Sequence, residues 1–80
     1  MEVEFTVAGV RKSLRSEMVV RRLKDVNPGP IGSHAVEIGG VLYPVKEAFA
    51  LVTELDLLDF NTNQARNVFK RLGFKVSRVR

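Results

Sequence analysis

A complete α-helix is encoded in residues 61–72, and this segment constrains the fold of the chain more than any other. Asn61 is predicted to cap the helix, because Gln64 stands three residues later and can close a capping box; Thr62 is the alternative cap. The apolar residues of the segment recur at the spacing of one helical face: Ala65, Val68, Phe69 and Leu72. This helix is therefore predicted to bury one face against the rest of the chain.

The end of this helix is marked as clearly as its start. Gly73 occupies the position where a left-handed residue ends a helix, and Phe74 is then placed to pack back on Phe69, as in a Schellman motif. The pattern changes to alternation over residues 75–79, with Val76 inward, which predicts a terminal strand.

One strand and one helix are predicted in the first third of the chain. Polar and apolar residues alternate at the start, which is typical of a half-buried strand: Glu2, Val3, Glu4, Phe5, Thr6 and Val7. Gly9 is predicted to end this strand. A helical pattern follows over residues 11–27, with Ser13 or Ser16 as its N-cap, and a Pro-Gly-Pro sequence stops it.

A β-hairpin and a second helix are predicted in the middle of the chain. Strands over residues 35–38 and 41–43 are joined by Gly39-Gly40, which can take the positive φ angles of a type I′ turn. Pro44 suits the first position of a helix. The apolar residues that follow keep helical spacing: Val45, Ala48, Phe49, Val52 and Leu55.

The predicted order is β-α-β-β-α-α-β, a small α+β fold in which residues 1–80 form a single domain. The last two helices and the terminal strand resemble a helix-turn-helix with a trailing wing. The chain has no cysteine, which excludes a disulfide framework and thiolate chemistry. No signal peptide or membrane span is visible, so we expect a cytoplasmic protein with no membrane partner.

Catalytic and metal-binding chemistry is not indicated by the residue pattern. His34 is the only histidine, and it has no cysteine or second base to act with. The carboxylates of Glu54, Asp56 and Asp59 do not follow a known spacing of metal ligands. We therefore expect a protein that is not an enzyme and that uses no cofactor and no metal ion.

Positive charge is concentrated at the end of the chain. Residues 60–80 contain six basic residues and no acidic one, whereas residues 30–59 contain Lys46 alone against five acidic residues. A helix and a strand that carry basic residues without any acidic residue predict a surface for a polyanion. Nucleic acid is the polyanion that we expect.

The outward face of the last helix carries the candidate contact residues: Asn63, Arg66, Asn67, Lys70 and Arg71. Arg66 and Asn67 are the candidates for reading base edges, because Arg and Asn side chains can form paired hydrogen bonds with guanine and adenine. Phosphate contacts are expected from the remaining cations as well: Lys46, Lys75 and Arg78. The alternative interpretation is a solvated helix face, on which Lys70 and Arg71 favour the helix dipole.

Lys46 is predicted in the first turn of its helix, where a cation is unfavourable unless an anion lies nearby. A bound phosphate beside the free N–H groups would make Lys46 a ligand contact. In the alternative interpretation, Glu47 compensates the dipole and Lys46 points into water.

Three segments of the sequence carry a family resemblance: G-V-L-Y-P-V-K at residues 40–46, Asp59-Phe60, and A-R-N-V-F-K-R-L-G-F at residues 65–74. Their order resembles the N-terminal head domain of ScoMcrA-type modification-dependent restriction endonucleases, over about residues 36–76. The sequence departs from that pattern at residues 61–63, where the family tends to have small glycine-rich residues. The resemblance implies a DNA-associated module and no cutting activity, since no His-Asn-His nuclease residues are present.

The function predicted from the sequence is nucleic-acid binding, with DNA preferred over RNA, through the basic C-terminal helix and strand. The alternative is a protein-interaction or scaffolding domain that uses the same basic face on an acidic partner. The sequence leaves the oligomeric state open, because it contains neither a heptad seam nor a clear apolar patch.

Overall fold

Five strands and three α-helices follow one another along residues 1–79, which the computed structural model of the chain describes. The α+β class is confirmed. In chain order the elements are β1 (Glu2–Val7), β2 (Val10–Arg15), α1 (Ser16–Leu23), β3 (His34–Ile38), β4 (Val41–Pro44), α2 (Val45–Thr53), α3 (Thr62–Arg71) and β5 (Lys75–Arg78).

The first third of the chain differs from its prediction, because residues 10–15 form a strand and not the start of a helix. β1 and β2 pair antiparallel as a separate two-stranded sheet. Their turn places Ala8 at φ 52° and Gly9 at φ 75°, so both turn residues have the positive φ that a tight hairpin requires. The helix is correspondingly short and begins at Ser16.

Both N-caps predicted for α1 are wrong. Ser13 lies within β2, and Ser16 is the first helical residue, while Arg15 occupies the cap position without a side-chain cap bond. The Ser16 hydroxyl instead donates a 2.9 Å hydrogen bond to the carbonyl of Leu72, which is the C-cap of α3. This bond joins the start of α1 to the end of α3 across most of the sequence.

The predicted central hairpin is confirmed. β3 and β4 pair antiparallel, and Gly39 and Gly40 take φ values of 60° and 80°, as a type I′ turn requires. β5 pairs antiparallel with the other edge of β3, which gives a three-stranded sheet of order β4-β3-β5. The end of the chain is thereby brought beside the residues that open β3.

Both ends of α3 follow their predictions. Asn61 accepts a 2.8 Å hydrogen bond from the backbone N–H of Gln64, whose side chain accepts a 2.9 Å bond from the Asn61 N–H. At the other end Gly73 has φ 94°, and the Phe74 N–H donates to the Phe69 carbonyl at 3.0 Å. The capping box and the Schellman motif therefore fix where α3 begins and ends.

The core gathers phenylalanine rings from distant parts of the chain. Phe49 of α2 is fully buried, and its ring centroid lies 5.6 Å from that of Phe5, 4.8 Å from Phe60 and 5.7 Å from Phe69. These rings come from β1, from the segment before α3 and from α3 itself. Aromatic pairs in tilted and edge-to-face arrangements stabilise a fold by more than the burial of their surface area alone. The cluster thus holds α3 against both β1 and α2.

The α2–α3 pair followed by β5 is present, but its connection is longer than in a helix-turn-helix. Residues 54–61 join the helices, with Glu54 left-handed at φ 62° and a 3-10 turn over Leu57–Asp59. A DNA-binding helix-turn-helix joins its helices by about three to four residues. Within residues 1–79, no helix has the length and apolar character needed to cross a membrane.

Candidate nucleic-acid interface

The outward face of α3 carries the residues that the sequence placed there. The buried residues of the helix are Ala65, Val68 and Phe69, so the opposite side faces solvent. Four of the five candidate residues on that side are exposed: Asn63, Asn67, Lys70 and Arg71. The fifth, Arg66, is only partly exposed, because it stands at the flank of the helix beside the sheet.

Helical spacing divides this face into two neighbouring rows. Asn63, Arg66 and Lys70 lie at i, i+3 and i+7, so their side chains follow one line along the helix. Asn67 and Arg71 lie at i and i+4 on the adjacent line. Each row therefore combines an amide with at least one cation.

Three ion pairs among the described residues lie away from this face, at β1, β2 and the start of α1. Arg11 pairs with Glu4 and Arg15 with Glu2, and the N-terminal ammonium pairs with Glu17. In residues 1–79, by contrast, no carboxylate oxygen lies within 4.0 Å of five predicted contact cations: Lys46, Arg66, Lys70, Arg71 and Lys75. Their positive charge is left without a neighbouring counter-charge in the fold.

Strand β5 sends its two predicted contact residues to opposite faces of the sheet. Lys75 pairs in register with Glu37, and Arg78 pairs with His34. Residues three apart on a strand point to opposite faces. Lys75 and Glu37 are both exposed on the outer face, whereas Arg78 stands beside His34 on the face that carries Val36 and the helices. The structure therefore brings Arg78, and not Lys75, towards α3.

His34 joins this cationic group, although sequence reasoning did not select it as a contact residue. Burial lowers the pKa of His34 below its ordinary value, and the nearby charges of Arg66 and Arg78 lower it further. Its Nδ1 atom and the Nε atom of Arg66 are both buried without a hydrogen-bond partner. The pairing of residue 34 with residue 78 creates this group, and nothing in the sequence pattern near His34 indicates that pairing.

Lys46 occupies the first turn of α2, as predicted, but it does not simply point into water. Its side chain is half-buried, and Nζ lies 5.3 Å from the ring centroid of Phe60, a cation–π contact. Glu47, in the same turn, approaches the backbone of Gly29: a Cβ added there would meet its Oε2 at 2.9 Å. The carboxylate is thus directed towards the 24–33 loop.

The pKa of His34 is open to a direct measurement, because this chain has only one histidine. We expect its imidazole to titrate below the ordinary value of 6.5 and the Arg66→Gln variant to shift the midpoint upwards. NMR of the imidazole C–H resonances measures both midpoints. Lys70→Gln is the matched control, since it removes one charge from the exposed part of α3 and should move the midpoint less.

The sign of the effect on stability follows from the same shift. The unfolded chain binds the His34 proton more tightly than the folded chain, so the free energy of unfolding should fall as the pH drops below the ordinary pKa of 6.5. A titration midpoint of His34 at or above 6.5 in the unmodified chain would contradict the cationic environment of this residue.

The fold and this surface define a small α+β domain with a basic face built from the last helix and the sheet edge beside it. The chain belongs to the SCO5918-like family, whose sequence profile matches residues 4–80. No curated protein and no solved structure matches the chain. The family match does not connect the chain to the ScoMcrA-type head domains, so that resemblance stays a prediction.

Proposed function

We propose that this chain is a nucleic-acid-binding module and that duplex DNA is its preferred ligand. The proposal rests on the three cations of α3, Arg66, Lys70 and Arg71, which have no carboxylate oxygen within 4.0 Å among residues 1–79. Two cations of β2 are instead paired with glutamates of β1. Phosphates would supply the missing counter-charge, and the release of their condensed cations would drive binding.

The two rows of α3 suit different parts of a DNA groove. Asn67 is exposed in the middle of the outward face, which makes it the stronger candidate for contact with a base edge. Arg66 is partly buried beside His34, so its guanidinium is better placed for a phosphate at the groove wall. Lys70 and Arg71 extend the phosphate-contacting surface along the helix.

Duplex DNA is preferred because the described residues offer little for recognition of single strands. Single-stranded nucleic acids are bound largely by stacking of bases on exposed aromatic rings. Within residues 1–79 the aromatic side chains are buried or, for Phe74, half-buried. A protruding helix also fits the wide major groove of DNA better than the deep, narrow major groove of duplex RNA.

The proposal is tested by fluorescence anisotropy of a labelled DNA duplex over a series of salt concentrations. We expect the logarithm of the association constant to fall linearly with the logarithm of salt, by about 0.9 for each phosphate contacted. Unlabelled RNA duplex and single-stranded DNA of the same sequence should compete less well. Unchanged anisotropy at low salt and high protein concentration would exclude nucleic-acid binding.

A second candidate function is protein interaction, which a separate feature favours. Leu58 is 93% exposed in the 3-10 turn, where Leu57 is also exposed. Acidic residues flank these leucines, so this corner suits a partner with apolar and basic groups. Failure of all nucleic acids in the anisotropy assay would leave this second function as the better one.

A further inference from the structure

A cavity of about 390 Å³ opens beside the basic face, between the residues that enter β3 and the starts of α2 and α3. His34 and Ser33 line one side, Lys46 lines the second and Thr62 lines the third. The volume lies within the range of about 300–1,000 Å³ that is usual for sites of small ligands. The cavity is therefore larger than an isolated anion needs.

The charges around this cavity have one sign. Lys46 is among its lining residues, and no carboxylate is among them. Arg66 follows Thr62 by one helical turn, on the side of α3 that faces His34, and its charge acts on the imidazole. Glu47 approaches Gly29 and is not a lining residue. An anion in the cavity would contact Lys46 of α2, and the charge of Arg66 acts on His34 in the cavity wall.

Hydrogen-bond donors also converge on the cavity. Ser33 and Thr62, whose side chains carry hydroxyl groups, belong to its lining. The N-cap of α2, Pro44, forms no side-chain cap bond, so the first N–H groups of this nine-residue helix have no capping acceptor. Free N–H groups at the start of a helix bind anions well, and they add here to the side-chain donors.

We propose that this cavity binds a phosphate monoester, with Lys46, Thr62 and His34 around the phosphate and the attached sugar in the remaining volume. A monoester carries about 1.5 to 2 negative charges at neutral pH, which matches a site with several cations better than the single charge of a phosphodiester does. The ligand is either a small phosphorylated molecule or the phosphorylated end of a nucleic-acid strand. This site goes beyond the groove contacts proposed for α3.

Binding should be coupled to the protonation of His34. The charged groups that face the imidazole are Arg66 from α3 and Arg78 from β5, with Lys46 on the far side of the cavity. A bound dianion offsets their repulsion and favours the protonated imidazole. Affinity is therefore expected to rise as the pH falls towards about 6, and to decline at lower pH because the monoester itself takes up a proton there.

The test is an NMR titration of the full chain with thymidine 5′-monophosphate, with thymidine as the matched control. We expect the phosphate form alone to move the amide resonances of Lys46 and Thr62 and to raise the titration midpoint of His34. Ribose 5-phosphate, and duplexes with 5′-phosphate or 5′-hydroxyl ends, then identify the source of the phosphate. Equal shifts with thymidine, or none at millimolar ligand, would overturn the proposal.

Two variants distinguish binding in this cavity from binding of DNA on the outward face of α3. Lys46→Gln should weaken binding of the monophosphate roughly tenfold and Thr62→Val about two- to tenfold, because they remove a charged and a neutral donor. Lys24→Gln, at the C-cap of α1, is the charge-matched control. An affinity for the monophosphate that is unchanged in the Lys46→Gln variant would refute the site. Duplex binding without monophosphate binding would overturn only this inference, and the reverse result would overturn only the proposed function.

Discussion

Replacement of Phe49 by alanine is expected to lower the free energy of unfolding by about 3–5 kcal/mol, the usual cost of removing a buried phenylalanine. Its ring is fully buried and packs against those of Phe5, Phe60 and Phe69. At about 0.05–0.15 kcal/mol per residue, a domain of 80 residues has a total stability of roughly 4–12 kcal/mol. The variant should therefore be partly unfolded, which urea denaturation followed by circular dichroism measures.

Leu51→Ala is the matched control for this prediction. Leu51 lies on the same helix, two residues from Phe49, but its side chain is 51% exposed. Its loss should cost about 1 kcal/mol or less, as is usual for exposed positions. If the two variants had equal unfolding midpoints, Phe49 would not be the centre of the core.

Simultaneous replacement of Arg66 and Lys70 by glutamine is expected to weaken binding of duplex DNA roughly 100-fold at about 50 mM salt, because each lost phosphate contact is worth about tenfold there. The slope of the logarithm of the association constant against the logarithm of the salt concentration should become shallower by about 1.8, or about 0.9 for each contact. Both residues belong to one row of α3. Glutamine removes their charge without placing an acid near the C-terminus of the helix.

The control for this experiment is Arg21→Gln combined with Lys24→Gln. It also removes two positive charges, from the last turn and the C-cap of α1, where both residues are exposed and lie outside the basic face of α3 and β5. Its affinity for duplex DNA should stay within about threefold of that of the unmodified chain, because a change in net charge away from the interface has only a small effect. An equal loss in both double variants would mean that overall charge, and not this face, determines binding.

The most successful predictions concern elements whose boundaries depend on neighbouring residues only. The ends of α3 are fixed by Asn61 with Gln64 and by Gly73 with Phe74, and all of these interactions span a few residues. The Gly39-Gly40 turn is equally local, since glycine alone supplies its positive φ angles without strain. Such signals can be read from the sequence because they need no knowledge of the tertiary fold.

The first hairpin shows where local signals fail. Its turn uses Ala8 at positive φ, a residue that is uncommon there, so the sequence lacks the usual glycine or asparagine pair. β2 also buries only Leu14, which leaves too few apolar residues to display strand alternation. The strand is held by its pairing with β1 and by ion pairs such as Arg15–Glu2. These partners become visible only when the chain is folded.

One part of the candidate site could likewise be predicted from local signals, and another part depends on the tertiary fold. The outward face of α3 follows from helical periodicity, so its exposed residues were identified correctly as a surface. The group around His34 depends on the pairing of β3 with β5 and on the approach of Arg66 from α3. Three elements that are far apart in sequence build it, and no spacing rule connects them.

The bond from Ser16 to the Leu72 carbonyl, with the packing of α3 against β1, sets the order in which this domain can be completed during synthesis. The opening strands meet α3 only after it has left the ribosome, because α3 is made after every other described element except β5. Until then Phe49, which packs against Phe5, lacks its contact with the ring of Phe69. The nascent chain is therefore expected to become cooperatively folded late, and most of its contacts between distant residues should form in one final step.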